Sequence, residues 1–221
     1  MLSAENSDSI SVLLVLTTAL LGVALSPIAE VLIAKLLPRL GSVPRLQVRI
    51  MTAVLTAIAC AVFALRFGTA TILPAFILLA VLGVQLARID FSLHLLPNPL
   101  VLLLLASGII LLLIASLFGQ HADNMLRALF SMMILFAAYL ILGLISPGAM
   151  GMGDVKLAAP IGLYLGYLGW TQLLYGGLLG FILNGVVTVL TVARKGRKNT
   201  AEVAHGPSML AATLAVAVLL P

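Results

Sequence analysis

The run PNPLVLLLLASGIILLLIASLF, residues 97–118, carries no charged side chain from end to end. A helix crossing a hydrocarbon core of ~30 Å needs about 20 mostly apolar residues, and this run is long enough. Comparable runs lie on both sides of it. The chain divides into eight apolar segments, roughly 10–36, 47–66, 70–89, 97–118, 125–146, 154–169, 171–193 and 206–220. They are continuous rather than alternating, which predicts helices and not the short alternating strands of a membrane barrel. The breaks are marked chemically by Pro38, Gly41 and Pro44, by Gly68, by Pro97 and Pro99, by Pro147, Gly148, Gly151 and Gly153, by the polar stretch 194–199 and by Pro207. No internal repeat is visible.

Composition points the same way. The 221 residues are 62% hydrophobic and 9% charged, and the mean hydropathy is +1.25. A soluble domain is about a quarter charged, because its surface must stay in water. Here lipid has to cover most of the surface. The expected fold is therefore an all-α, polytopic membrane helix bundle of about eight transmembrane helices. The net charge of +5 does not call for nucleic acid, since Lys and Arg collect in cytoplasmic loops of membrane proteins. The single cysteine, Cys60, can form neither an internal disulfide nor a zinc ribbon. Residues 1–9 contain Glu5 and Asp8 and no base, unlike the basic start of a secretory signal, so the first segment is expected to be a retained helix.

The basic residues orient the bundle. With both termini outside, Lys35, Arg39, Arg45, Arg49, Arg88, Lys156, Arg194, Lys195, Arg197 and Lys198 fall inside, and only Arg66 and Arg127 fall outside. The reverse orientation violates the positive-inside rule. The count requires both 154–169 and 171–193 to cross.

Of the seven acids, Glu5, Asp8, Asp123 and Glu202 sit in ends or loops. Glu30, Asp90 and Asp154 sit at membrane segments, where an ionisable group is costly unless paired or hydrated and is a functional candidate by default. Asp90 closes the third segment and Asp154 opens the sixth, which puts both near one membrane face. Two carboxyls sharing a site keep one proton between them. The ionised one takes a proton from water and the protonated one polarises an amide carbonyl, an acid–base division that needs no metal. Gly151 and Gly153 allow close backbone approach and positive φ, so that their loop can lie along an extended peptide. Asp154, at a helix N-terminus, is the better placed of the two to hold charge. His94 lies one helical turn beyond Asp90. Lys156 is a snorkelling inside base or a partner of Asp154. Asn98 caps or packs the fourth helix, Glu30 lines a groove near the site, and Asn184 makes an interhelical hydrogen bond.

Gly151-Met152-Gly153-Asp154-Val155-Lys156 resembles the GxGD motif, with a following lysine, of type IV prepilin peptidases; presenilin and signal peptide peptidase share its GxGD core. Asp90 with His94, Pro97 and Asn98 resembles the family's other motif, an Asp followed by a short run ending in Pro-Asn or Pro-Asp. His205-Gly206-Pro207 is similar to the Gly-Pro motif that opens the family's last helix, and Pro38-Arg39 to the Arg-Pro region closing the first. The resemblance covers about 30–207, most of the chain.

The resemblance implies a membrane aspartic endopeptidase without cofactor, with Asp90 and Asp154 catalytic and Gly151, Gly153, Lys156, His94 and Asn98 supporting them. Glu30, Gly206 and Pro207 would line the groove. Its partners would be prepilin or pseudopilin precursors and the lipid bilayer of a bacterial-type inner or cytoplasmic membrane. It would cut at the cytoplasmic face, after a glycine just before the substrate's hydrophobic segment. Many members also methylate the new N-terminus through a cytoplasmic insertion with paired Cys-x-x-Cys motifs. The connection between residues 36 and 47 has no cysteine and no room for it, so the chain resembles the shorter, peptidase-only type. The expected organisation is one peptidase domain over 1–221, with two accessory helices in 10–66 and a six-helix catalytic core in 70–221. A proton- or ion-coupled small transporter and an inactive assembly scaffold are the competing readings. The acids near one face and the absence of a repeat weigh against the first; the presence of both acids weighs against the second.

Overall fold

A computed structural model describes residues 2–119, 122–145, 151–195 and 204–221. Every regular element among the described residues is helical: α1 (Leu2–Leu36), α2 (Leu46–Phe67), α3 (Leu73–Leu93), α4 (Asn98–Gly119), α5 (Ala122–Ile145), α6 (Met152–Leu168), α7 (Trp170–Lys195) and α8 (Gly206–Leu219), with a short 3-10 turn at Pro38–Leu40. Six of them, α1 to α5 and α7, are long and apolar enough to span a bilayer. The protein is a multi-pass membrane protein. Two helices are shorter, α6 with 17 residues and α8 with 14. The loops 146–150 and 196–203, with Pro147, Gly148, Arg197 and Lys198, lie outside the described residues, as does His121.

The helix boundaries follow the apolar segments closely. The largest inner difference is at α3, which begins at Leu73 rather than 70 and runs on to Leu93 rather than stopping at 89. Pro74 sits in its first turn, where a missing N–H costs nothing. At the other end a charged residue does not by itself stop a helix. The stop comes at His94, which adopts φ 50° and donates its N–H to the Asp90 carbonyl at 2.9 Å. That is the left-handed cap of a helix end. Asp90 thus lies inside the last turn of α3.

The chain forms two compact units, Met1–Gln85 and Leu86–Pro221, which divide within α3. The first is built on α1 and α2. Glu30, 1% exposed, lies in their interface. Arg49 Nε donates to its Oε2 at 3.1 Å, and Thr52 Oγ1 donates to its Oε1 at 2.6 Å. Glu30, expected to line a groove, has both oxygens engaged and almost no exposure. Its cation comes from α2. Phe63 and Phe67 of α2 pack on Phe76 of α3, with ring centroids 5.2 and 4.6 Å apart. Ser26 of α1 accepts a hydrogen bond from Gln85 at 3.2 Å.

The second unit is organised around α6, whose residues are buried almost throughout. It fits because neighbours come close at glycines: Gly162 and Gly166 both lie against Ser131 of α5, where a Cβ would collide. Small residues that let helix backbones approach are the usual interface in lipid, where there is no hydrophobic drive between helices. The C-terminal carbonyls of α6 are capped from α5. Arg127 donates to the carbonyls of Gly166 at 2.7 Å, Tyr167 at 2.7 Å and Leu168 at 3.2 Å. Asn184 on α7 does not make the expected bond through its oxygen: Oδ1 is buried and has no partner among the described residues.

Replacing Arg49 by Met leaves the Glu30 carboxylate buried without its cation. The expected loss is about 3 kcal/mol, measured as a lower unfolding temperature in detergent; Glu30→Gln, which leaves only the part-exposed Arg49 cation without its partner, is expected to cost less.

Candidate active site

Asp90 and Asp154 are brought together in the second unit. Asp90 is 5% exposed and Asp154 8%, and the two carboxyls lie within electrostatic reach of each other. Each is held by the N-terminus of a helix. Gly206, the first residue of α8, donates its N–H to Asp90 Oδ2 at 3.0 Å. Asp154, in the first turn of α6, reaches back to accept the N–H of Gly151, the residue that caps that helix. This is one half of a capping box, an acid at the third helical position satisfying the cap's own N–H. Both acids therefore sit where unsatisfied N–H groups and the helix dipole favour negative charge.

The glycines serve this geometry through their lack of a Cβ. A Cβ on Gly206 would stand 2.6 Å from Asp90 Oδ2. A Cβ on Gly153 would stand 2.9 Å from the Cβ of Leu96. Positive φ is not what they supply: Gly151 has φ −72° and ψ 141°, and Gly153 is already helical. The expectation that Gly151-Met152-Gly153 forms a loop able to lie along a peptide is corrected accordingly. The segment is the cap and first turn of α6, because the helix starts two residues earlier than the sequence suggested.

Leu96 is the residue that joins these parts. It is buried in the α3–α4 connection, its Cβ against Gly153, and its Cδ1 would lie 3.3 Å from a Cβ on Gly206. The side chain is a spacer between the starts of α6 and α8. Pro97 follows it, also buried. Asn98 begins α4, and its Oδ1 accepts a hydrogen bond from Lys156 Nζ at 2.9 Å. Lys156 thus ties α6 to α4 in an exposed position. His94 is exposed; it makes the backbone bond to Asp90 that ends α3, and its side chain lies within electrostatic reach of the Asp90 carboxyl. Pro207 stands in the first turn of α8, where it contributes no N–H.

Sequence reasoning missed two residues here. His205, which precedes Gly206, is 8% exposed. Its Nε2 lies 3.3 Å from the hydroxyl of Tyr139 on α5, a fully buried residue that feels the charge of Asp154. The His205 ring also packs on Phe181 of α7, with centroids 5.3 Å apart. Burial pushes the imidazole below its ordinary value, so it is neutral at neutral pH. An isolated Tyr in an apolar run carries no signal of this; the His-Gly-Pro sequence did, but only for its Gly-Pro half.

Comparison with known families agrees with the geometry. The family model described as the type IV leader peptidase family matches residues 73–190. The chain belongs to the type IV leader peptidase family. No curated protein and no solved structure matches it. The matched region runs from the start of α3 into α7, and so contains Asp90, Leu96, Asn98, Gly151, Gly153, Asp154 and Lys156. Family membership makes it a prepilin-type leader peptidase.

Gly206→Ala is expected to displace the Asp90 carboxylate or the start of α8, and to lower leader cleavage by at least about a hundredfold, the scale of a lost acid–base group. Gly180→Ala is the matched control: its Cβ would meet Met209 at an ordinary 3.6 Å, and activity is expected to stay near that of the unaltered protein.

Proposed function

We propose that the protein is an aspartic endopeptidase that removes the leader from type IV prepilin-like or pseudopilin precursors, cutting after a glycine at the cytoplasmic membrane face. The observation that carries this reading is two buried acids, Asp90 and Asp154, within electrostatic reach of each other and each held by a backbone N–H.

The chemistry follows from that arrangement. The pair shares one proton and titrates as a unit. The ionised carboxylate takes a proton from water, whose oxygen attacks the peptide carbonyl carbon. The protonated carboxyl gives its proton to the carbonyl oxygen. The tetrahedral adduct then collapses: the C–N bond breaks, its nitrogen accepts a proton from the pair, and the hydroxyl proton returns to the pair. All atoms and protons balance without another reactant. With a helix N-terminus behind each acid, neither is marked by the dipole as the sole bearer of charge. The cytoplasmic face rests on the basic residues: Lys156 flanks Asp154, and Arg88 precedes Asp90 by two residues. Both termini then lie outside.

The test is cleavage of a prepilin-like substrate by the purified protein beside Asp90→Asn and Asp154→Asn, each checked for equal folding. Asparagine keeps the shape and removes the titratable acid. Both variants are expected to lose at least about a hundredfold in rate. Near-normal activity in either removes that aspartate from the pair and with it the aspartic mechanism.

A further inference from the structure

Two buried polar atoms near the proposed pair are unused by the fold. Nδ1 of His205 and Oδ1 of Asn184 have no hydrogen-bond partner among the described residues. Buried polar atoms are almost always paired, and a specific exception asks for an explanation. Their positions supply one.

Helices α7 and α8 run antiparallel. Gln172 meets Pro221, Gly180 meets Met209 and Phe181 meets His205, in descending order along α8. Asn184 lies three residues beyond Phe181 and hence on the same helix face. It stands at the level where α8 begins, which is the level of His205. His205 in turn precedes Gly206, whose N–H holds Asp90. The two unused atoms therefore lie toward one end of the α7–α8 interface, the end at which Gly206 holds Asp90.

Their chemistry is complementary. The Tyr139 hydroxyl lies 3.3 Å from Nε2 of His205. In the tautomer whose Nε2 accepts from the phenol, the proton of the neutral ring stands on Nδ1, which makes that atom a donor. Asn184 Oδ1 is an acceptor. One donor beside one acceptor matches a single peptide group, which offers a carbonyl and an N–H.

We propose that His205 and Asn184 form a subsite beside Asp90 for the backbone of the substrate, with His205 Nδ1–H donating to a peptide carbonyl and Asn184 Oδ1 accepting a peptide N–H. The ligand class is an extended polypeptide, held without reference to its side chains. Tyr139 positions the His205 ring. The proposal rests on the leader-peptidase reading and adds the contacts that hold the substrate chain.

The experiment uses the Asp154→Asn protein, which binds without cutting, and a peptide spanning a prepilin-like leader and the start of its hydrophobic segment. His205→Phe keeps the ring between Tyr139 and Phe181; Asn184→Leu keeps the size. Each is expected to weaken the Kd about tenfold, the scale of one hydrogen bond. Each is also expected to melt at or above the temperature of its parent, because it removes a polar group that the free protein leaves unpaired. An unchanged Kd in either variant overturns the pair. So does a large fall in melting temperature in both, since the atoms would then have partners inside the fold. If the unaltered protein neither binds nor cuts such peptides, the leader-peptidase reading falls and the subsite with it. If the unaltered protein cuts while the variants bind like their parent, the subsite alone falls.

Discussion

The hydrogen bond from Gly206 N–H to Asp90 Oδ2, at 3.0 Å, ties the end of α3 to the beginning of α8 across 116 positions of sequence. Three local features make it possible. Helix α3 must run past Asp90 before it stops, so that the carboxylate projects from a regular turn. The residue at the start of α8 must lack a Cβ, because a Cβ there would occupy the place of Oδ2. Leu96 must then fill the space beside Gly206 and Gly153. The same solution appears at α6, where Asp154 takes the N–H of Gly151. Two buried acids in an apolar surround repel each other. A helix N-terminus is the one source of positive potential that adds no titratable group of its own.

Comparison with the third buried acid makes the distinction sharp. Glu30 has a cation on one oxygen and a hydroxyl on the other. Such a carboxylate is tied to its place between α1 and α2. Asp90 and Asp154 have backbone donors and each other. Lys156, the base nearest to Asp154 in sequence, is turned to Asn98 instead. The proposed pair is therefore left free to exchange a proton, at the cost of the stability that a salt-bridged acid in the same place would provide. Sites that store such strain are where local rules of satisfaction are expected to fail.

The apolar segments made nearly the whole helical architecture legible, because in lipid the length of an apolar run and the length of a helix are fixed by the same thickness. The errors are instructive. Helix α3 was ended at a charge, whereas helices end where the backbone turns, here at His94. The start of α6 was set after the glycines, whereas Gly153 is admitted into the helix by the space against Leu96. The acids Asp90 and Asp154 were legible as costly groups in apolar surroundings. The partners that hold them were not. A backbone N–H is present at every residue except proline, so no side-chain pattern announces that Gly206 donates to Asp90. Tyr139 was invisible for a related reason, since one aromatic among aliphatic residues looks like core. For Glu30 no sequence pattern named its partner; the structure uses Arg49, because α1 packs along α2 and brings it to the interface.

Helix α6 ties these points together. It has 17 residues, carries Asp154 in its first turn and is buried along its length. A helix facing lipid must match the bilayer or tilt. One enclosed by α4, α5, α7 and α8 is relieved of that requirement, provided that its two ends find partners within the protein. Asp154 takes the Gly151 N–H at one end, and Arg127 gathers the carbonyls of Gly166, Tyr167 and Leu168 at the other. An acid at the positive end and a base at the negative end complement the macrodipole. The arrangement fixes the helix along its axis as well as sideways, through the close approach of Gly162 and Gly166 to Ser131. The position of Asp154 relative to Asp90 is then set by both ends of α6. Arg127, read from the sequence only as one of the outside bases, thereby belongs to the structure that positions the acids.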